Sequence, residues 1–191
     1  MAKISIIGSG NMGQAIAGIA AKGGNEVELL NTSHAGQAVT GDIVVLAVPY
    51  PSVATVLAQR GDQLAGKVVV DITNPIDFAT FDGLTVPADS SAAAEIAAAL
   101  PDARVLKAFN TNFGGTLASG SIGAETTTVL IAGDDANAKA LLSGVVAEAG
   151  LKAIDAGSLK RARELEALAF LQITLAAGEK ISWTGGFAVT A

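Results

Sequence analysis

The residues best able to do chemistry in this 191-residue chain fall in clusters, each behind a short apolar run. The first is Gly8-Ser9-Gly10-Asn11-Met12-Gly13, directly after Ile4-Ser5-Ile6-Ile7 and directly before a helix-forming stretch, Gln14 to Lys22. A GxGxxG string gains meaning from that strand–turn–helix setting. Gly8 then permits a tight turn, Gly10 lets the backbone approach a pyrophosphate, and Gly13 lets the helix pack closely on the strand. The free N–H groups of such a turn, with the helix dipole behind them, favour a phosphate. The alternative is a flexible glycine-rich turn in a chain with 22 glycines. The setting favours the nucleotide.

The second cluster is Asn31-Thr32-Ser33-His34. Domains that prefer NAD carry an Asp or Glu here to bind the ribose 2′-hydroxyl, and that charge repels a 2′-phosphate. The neutral Asn31 therefore favours NADP, although no arginine follows in the stretch to grip the phosphate with both nitrogens. His34 is either part of this site or an ordinary loop residue. The third cluster, Ala47-Val48-Pro49-Tyr50-Pro51-Ser52, makes a rigid lip beside the glycine turn. Tyr50 is the sole tyrosine, and Ala54 occupies the place where a short-chain dehydrogenase would need a lysine. The fourth and fifth clusters are Asp71-Ile72-Thr73-Asn74-Pro75 and Lys107-Ala108-Phe109-Asn110-Thr111-Asn112-Phe113-Gly114-Gly115. Their amides and hydroxyls offer donors and acceptors together, as a carboxamide or a flat heterocycle requires. Such residues also serve local turns. Further on, Lys160, Arg161 and Arg163 read as a solvated face, with Arg163 and Glu166 spaced to pair.

The elements that must hold these clusters are short β-branched runs alternating with alanine-rich helices. Strands are expected at 3–8, 26–30, 42–48, 67–72, 104–109, 127–132 and 152–155. Helices are expected at 11–22, 52–60, 92–100, 136–149 and 159–181, with Ser90-Ser91 capping the third. This alternation predicts an α/β fold: a Rossmann-type, doubly wound, mostly parallel sheet. Ligands of such sheets bind beyond the carboxyl ends of the strands, where the clusters fall. Ten residues separate Asn31 from Asp42, too few and too poor in helix formers for the usual crossover helix. The helix after the second strand is thus expected to be missing, leaving that strand at an edge. The division expected is a nucleotide-binding domain over 1–157 and a C-terminal helix and tail over 158–191. That helix is apolar around most of its girth, which calls for cover on several sides: a second subunit, or the sheet itself.

Composition removes several classes. Without cysteine and with a single histidine, thiol chemistry and multi-histidine metal sites are excluded. A net charge of −6 and the lack of a basic stripe argue against nucleic acid. Mean hydropathy is high at +0.48, yet the apolar runs are strand-sized and fall short of the ~20 residues of a membrane span. No signal peptide is expected ahead of a strand that begins at Lys3, and a cytoplasmic location follows. The excess apolarity points to a homodimer interface.

Taken together, the clusters resemble the coenzyme F420-dependent NADP oxidoreductases, and the related reductase domain of the STEAP metalloreductases. The resemblance rests on Gly8 to Gly13, Val48-Pro49, Asp71 to Pro75, Lys107 to Thr111, and Asp155-Ala156-Gly157-Ser158-Leu159 with Arg163 and Glu166. It implies NADP along Gly8–Gly13, its 2′-phosphate near Asn31, Thr32 and Ser33, and Val48, Ser52, Asn74 and Gly114 lining the ribose and nicotinamide. It also implies a flavin-like or F420-type acceptor stacked on the nicotinamide, and a C-terminal segment that pairs subunits. The sequence departs from the family in lacking the arginine often found after the second strand, and in the missing helix. The activity expected is hydride transfer between NADP and a flavin or deazaflavin, which needs alignment and little else because both organic rings carry the hard chemistry. The rivals are a reductase of small carbonyls or imines and a non-catalytic NADP sensor.

Overall fold

A computed structural model describes residues 1–34 and 36–190 of the chain; Ala35, within the short connection discussed above, and Ala191 lie outside the described residues. Among the described residues nine strands occur: β1 (Lys3–Ile7), β2 (Glu26–Leu30), β3 (Ile43–Leu46), β4 (Val68–Asp71), β5 (Arg104–Lys107), β6 (Ser121–Ile122), β7 (Glu125–Thr126), β8 (Thr128–Gly133) and β9 (Lys152–Gly157). The helices are α1 (Asn11–Lys22), α2 (Tyr50–Arg60), α3 (Ala92–Ala99), α4 (Gly114–Ser119), α5 (Ala136–Glu148) and α6 (Ala162–Ala177). Seven strands form one sheet in the order β2-β1-β3-β4-β5-β8-β9, and β6 pairs β7 as a separate hairpin. All pairs in the large sheet are parallel except β5–β8.

The central strands are apolar throughout because both faces are covered. Ile43 and Val45 join Ile16 and Ile19 of α1 and Leu142 and Val146 of α5 on one face. Val44 and Leu46 join Val53 of α2 and Ile96 of α3 on the other. The period-two alternation of strand side chains thus feeds two cores from one run.

As expected from the ten-residue gap, β2 lies at the sheet edge and is followed by a 3₁₀ turn at Thr32–His34 in place of a helix. Polar bonds fasten this connection. Gly41 N donates to Ser5 Oγ at 2.7 Å and Thr40 N to Glu28 Oε1 at 2.8 Å, while Ser5 Oγ also bonds Glu28.

Several boundaries differ from expectation, those of two helices most. Helix α2 starts at Tyr50 rather than Ser52, because Pro51 is accommodated in the first turn, where its missing N–H has no helical partner to lose. Helix α6 is shorter than 159–181: a 3₁₀ turn at Leu159–Arg161 precedes it, and it stops at Gly178, beyond which Glu179 has φ 56°. The six-residue α4 and the β6–β7 hairpin were not anticipated, being too short to show a period. Ser91 does cap α3, accepting from Ala94 N at 3.0 Å. Among the described residues, no helix is long and apolar enough to cross a membrane.

Candidate functional site

The three glycines of the turn after β1 have different neighbours. Gly8 has φ 117°, and a Cβ there would lie 2.0 Å from the Ala47 carbonyl oxygen. A Cβ on Gly13 would lie 2.1 Å from the Gly8 carbonyl oxygen. Both must be glycine for the chain to fold this way. Gly10 has an ordinary φ of −73°, and a Cβ there would meet nothing within 4 Å. The fold does not need a glycine at Gly10 for space. Helix α1 begins at this point with no side-chain cap and no acidic residue in its first turn, and its first hydrogen bond is Gln14 N to Gly10 O at 2.9 Å. The amides ahead of Gln14 therefore keep their capacity for an anion.

At the neighbouring strand end, Asn31 builds a turn. Its Oδ1 accepts from Ser33 N at 3.0 Å and Ser33 Oγ at 2.6 Å, and its own N–H donates to His34 Nδ1 at 3.2 Å. Asn31, Thr32 and Ser33 are exposed, at the end of the edge strand. Val48 lies against the glycine turn, its Cγ1 3.2 Å from where a Gly8 Cβ would be. Pro49 is the N-cap of α2, and Ser52 is exposed in the helix's first turn. Tyr50 turns away to bond Glu95 on α3; burial first, and then Glu95, push its phenol well above its ordinary pKa.

A cavity of about 800 Å³ opens on the other side of the turn, and four of the expected residues line it: Asn11, Met12, Asn74 and Gly114. Asn110, Asn112 and three aromatics, Phe78, Phe113 and Trp183, complete its character. None of its lining residues carries a formal charge. Trp183 is 53% exposed and packs on Phe113 with ring centroids 5.0 Å apart. Phe78 and Trp183 stand far from the glycine turn in sequence, and only exposed aromatics in an otherwise aliphatic chain could have signalled them.

The amides of this cavity are locked. Asn74 Nδ2 donates to Asn110 O, and Asn110 Nδ2 donates to Asn74 Oδ1 and to Leu165 O, each at 3.0 Å. Asn112 Nδ2 donates to Thr128 O at 3.0 Å. The buried Phe109 just before them has φ 61°, a strained conformation for a bulky residue that turns the chain out of β5.

Beneath the amides lies a buried ionic knot that was not anticipated. Lys107 Nζ donates to Asp71 Oδ2 at 2.7 Å, to Glu166 Oε1 at 2.8 Å and to Thr73 O at 2.6 Å. All three ionisable side chains are 0% exposed. Glu166 also accepts from the N–H groups of Ala92 (3.0 Å) and Ala93 (3.3 Å), which caps α3 from α6. The expected Arg163–Glu166 pair is thereby overturned: Arg163 is exposed, and Glu166 is drawn inward because Lys107 has three N–H groups to satisfy without water. Burial pushes the Glu166 carboxyl up, against Lys107 and the Ala92 N–H, which hold it down; the charge of Asp71 adds to the rise.

Comparison with known proteins accords with this geometry. Residues 29–75 match a family model described as NADP oxidoreductase, coenzyme F420-dependent. An F420-dependent NADP reductase of Methanocaldococcus jannaschii is 30% identical over 166 residues, which is 85% of this chain and 74% of that protein. The chain belongs to the F420-dependent NADP reductase family. A crystal structure of a candidate F420-dependent NADP-reductase from Arthrobacter sp. FB24 matches this family member over 100% of both chains, with a TM-score of 0.85 and 26% identity. The rat metalloreductase STEAP3 is 29% identical over 181 residues, covering 87% of this reductase-family chain but 36% of STEAP3. The resemblance read from the motifs holds, and the protein is an NADP-dependent oxidoreductase by family.

Proposed function

We propose that this reductase moves a hydride between NADP and a flat acceptor of the flavin or deazaflavin type, held in the cavity of Asn74, Phe113 and Trp183. The observation that carries the proposal is Gly10: a position the fold leaves open, at an uncapped helix N-terminus, where a bound pyrophosphate would need the space. Gly8, Ser9, Gly10, Asn11, Met12 and Gly13 would hold the pyrophosphate; Val48, Pro49, Tyr50 and Ser52 form the lip beside it. Asn31, Thr32 and Ser33 would meet the 2′-phosphate. When bound, the nicotinamide supplies the hydride.

The chain's own contribution is orientation and apolar contact. The Asn74–Asn110 pair fixes two amides at the cavity wall, and the aromatic surfaces of Phe113 and Trp183 offer a flat ring apolar contact. The uncharged lining leaves the proton balance of the acceptor to solvent or to the acceptor itself. The names of the relatives support an F420-type acceptor.

A steady-state assay of NADPH oxidation against flavins, deazaflavins, quinones and small imines tests the acceptor. Turnover with flavins or deazaflavins is expected. Turnover confined to imines or carbonyls overturns that choice, and binding without any turnover would make the protein a sensor. The reading extends to residues 158–191 as a C-terminal unit serving a homodimer, since Leu171 of α6 and Phe187 of the tail are, like Trp183, exposed apolar groups. Light scattering that finds a monomer at micromolar concentration overturns that part.

A further inference from the structure

Arg60, the last residue of α2, is only 4% exposed. Its Nη1 donates to Gln37 O at 2.6 Å and its Nη2 to His34 O. Among the described residues no carboxylate lies within ion-pairing distance of it. The other buried cation, Lys107, has two. A guanidinium taken out of water with only carbonyl oxygens for company retains an unneutralised charge, and its surroundings favour an anion. The carbonyls it holds belong to the loop that continues from Asn31, Thr32 and Ser33. Gln63, just beyond α2, holds the same loop by accepting from Val39 N at 2.8 Å.

We infer that Arg60 sets the preference for NADP over NAD from beneath the loop, without occupying the usual arginine position after β2. The inference rests on the NADP reading above. Two effects act together. The guanidinium gathers the carbonyl oxygens of His34 and Gln37, so the negative ends of those peptide dipoles are engaged and do not oppose a phosphate. Its charge also supplies local attraction for a dianionic phosphomonoester in a protein whose net charge is −6. The adenosine 2′-phosphate is the anion this loop would meet. Arg60 is thus a positioning and specificity-determining residue, and the missing crossover helix is what lets α2 reach the loop.

The test compares adenosine 2′,5′-bisphosphate with adenosine 5′-monophosphate, which differ only in the 2′-phosphate, by calorimetry on the native protein and on Arg60→Met, Arg60→Gln and Arg60→Lys. Native protein should bind the bisphosphate more tightly. Arg60→Met should lose about tenfold or more of that affinity, the size of a charge-assisted bond, with the monophosphate changed less than about twofold. Arg60→Lys should restore part of the difference, because it restores charge. Arg60→Gln carries the same comparison if circular dichroism shows that Arg60→Met does not fold. Equal losses for both ligands, or no loss for either, overturn the inference and leave the NADP reading standing. A native protein indifferent to the 2′-phosphate overturns both.

Discussion

The turn after β1 and the ionic knot behind β4 and β5 hold the two ends of one groove by opposite means. The turn is backbone alone: two glycines admit close approach, a third has open space around it, and the first amides of α1 have no side-chain cap. The knot is centred on side chains: Asp71 of β4, Lys107 of β5 and Glu166 of α6 meet fully buried, and through Thr73 and Leu165 they fix Asn74 and Asn110. Substitutions in the turn are felt first through volume, and those in the knot first through charge. Binding is thereby kept separable from rigidity.

The sharpest way to break this contrast is Lys107→Met. It leaves two buried carboxylates facing each other and should cost about 3–5 kcal/mol, read by urea denaturation. A loss below about 1 kcal/mol would mean that the knot does not hold the fold. Next comes Gly13→Ala, where a methyl must displace the Gly8 carbonyl. It should cost about 1–3 kcal/mol in the same measurement, while Gly10→Ala should cost clearly less, only the N-cap preference for glycine. Equal costs at the two positions would erase the distinction between packing glycine and binding glycine.

Glu166→Gln should be milder still, about 1 kcal/mol, because an Asp71–Lys107 pair remains. The sign of its pH dependence follows from burial. With its pKa raised in the fold above the ordinary 4.5, Glu166 binds its proton more tightly folded than unfolded. Its stabilising contribution is complete below 4.5 and falls as pH rises through the folded value. Thermal melts across that range should show the advantage of the native protein over Glu166→Gln shrinking as pH rises. An advantage that grows would contradict the direction.

The same contrast explains what the sequence disclosed. Gly8, Gly10 and Gly13 could be read because backbone requirements write themselves into adjacent residues, and the edge position of β2 because ten residues cannot form a crossover helix. The knot could not be read, since Asp71, Lys107 and Glu166 are brought together only by strand order and the docking of α6. Local spacing instead offered Arg163 for Glu166, a pairing that burial overrides. Arg60 escaped for the same reason: its partners His34 and Gln37 lie on a loop more than twenty residues earlier. Trp183 reaches the cavity only because the tail turns back after Gly178.

The central claim is that the glycine turn is a nucleotide site that the fold leaves free, and Gly10→Val tests it directly. Calorimetric titration of NADP into native protein and into Gly10→Val, with melting curves alongside, gives both readings from one pair of samples. The account predicts a protein that still folds cooperatively with only a small fall in melting temperature, because a Cβ at Gly10 meets nothing within 4 Å and only the N-cap preference for glycine is lost, together with loss of NADP binding because the side chain fills the pyrophosphate's place. A folded Gly10→Val protein that binds NADP as the native protein does would contradict it.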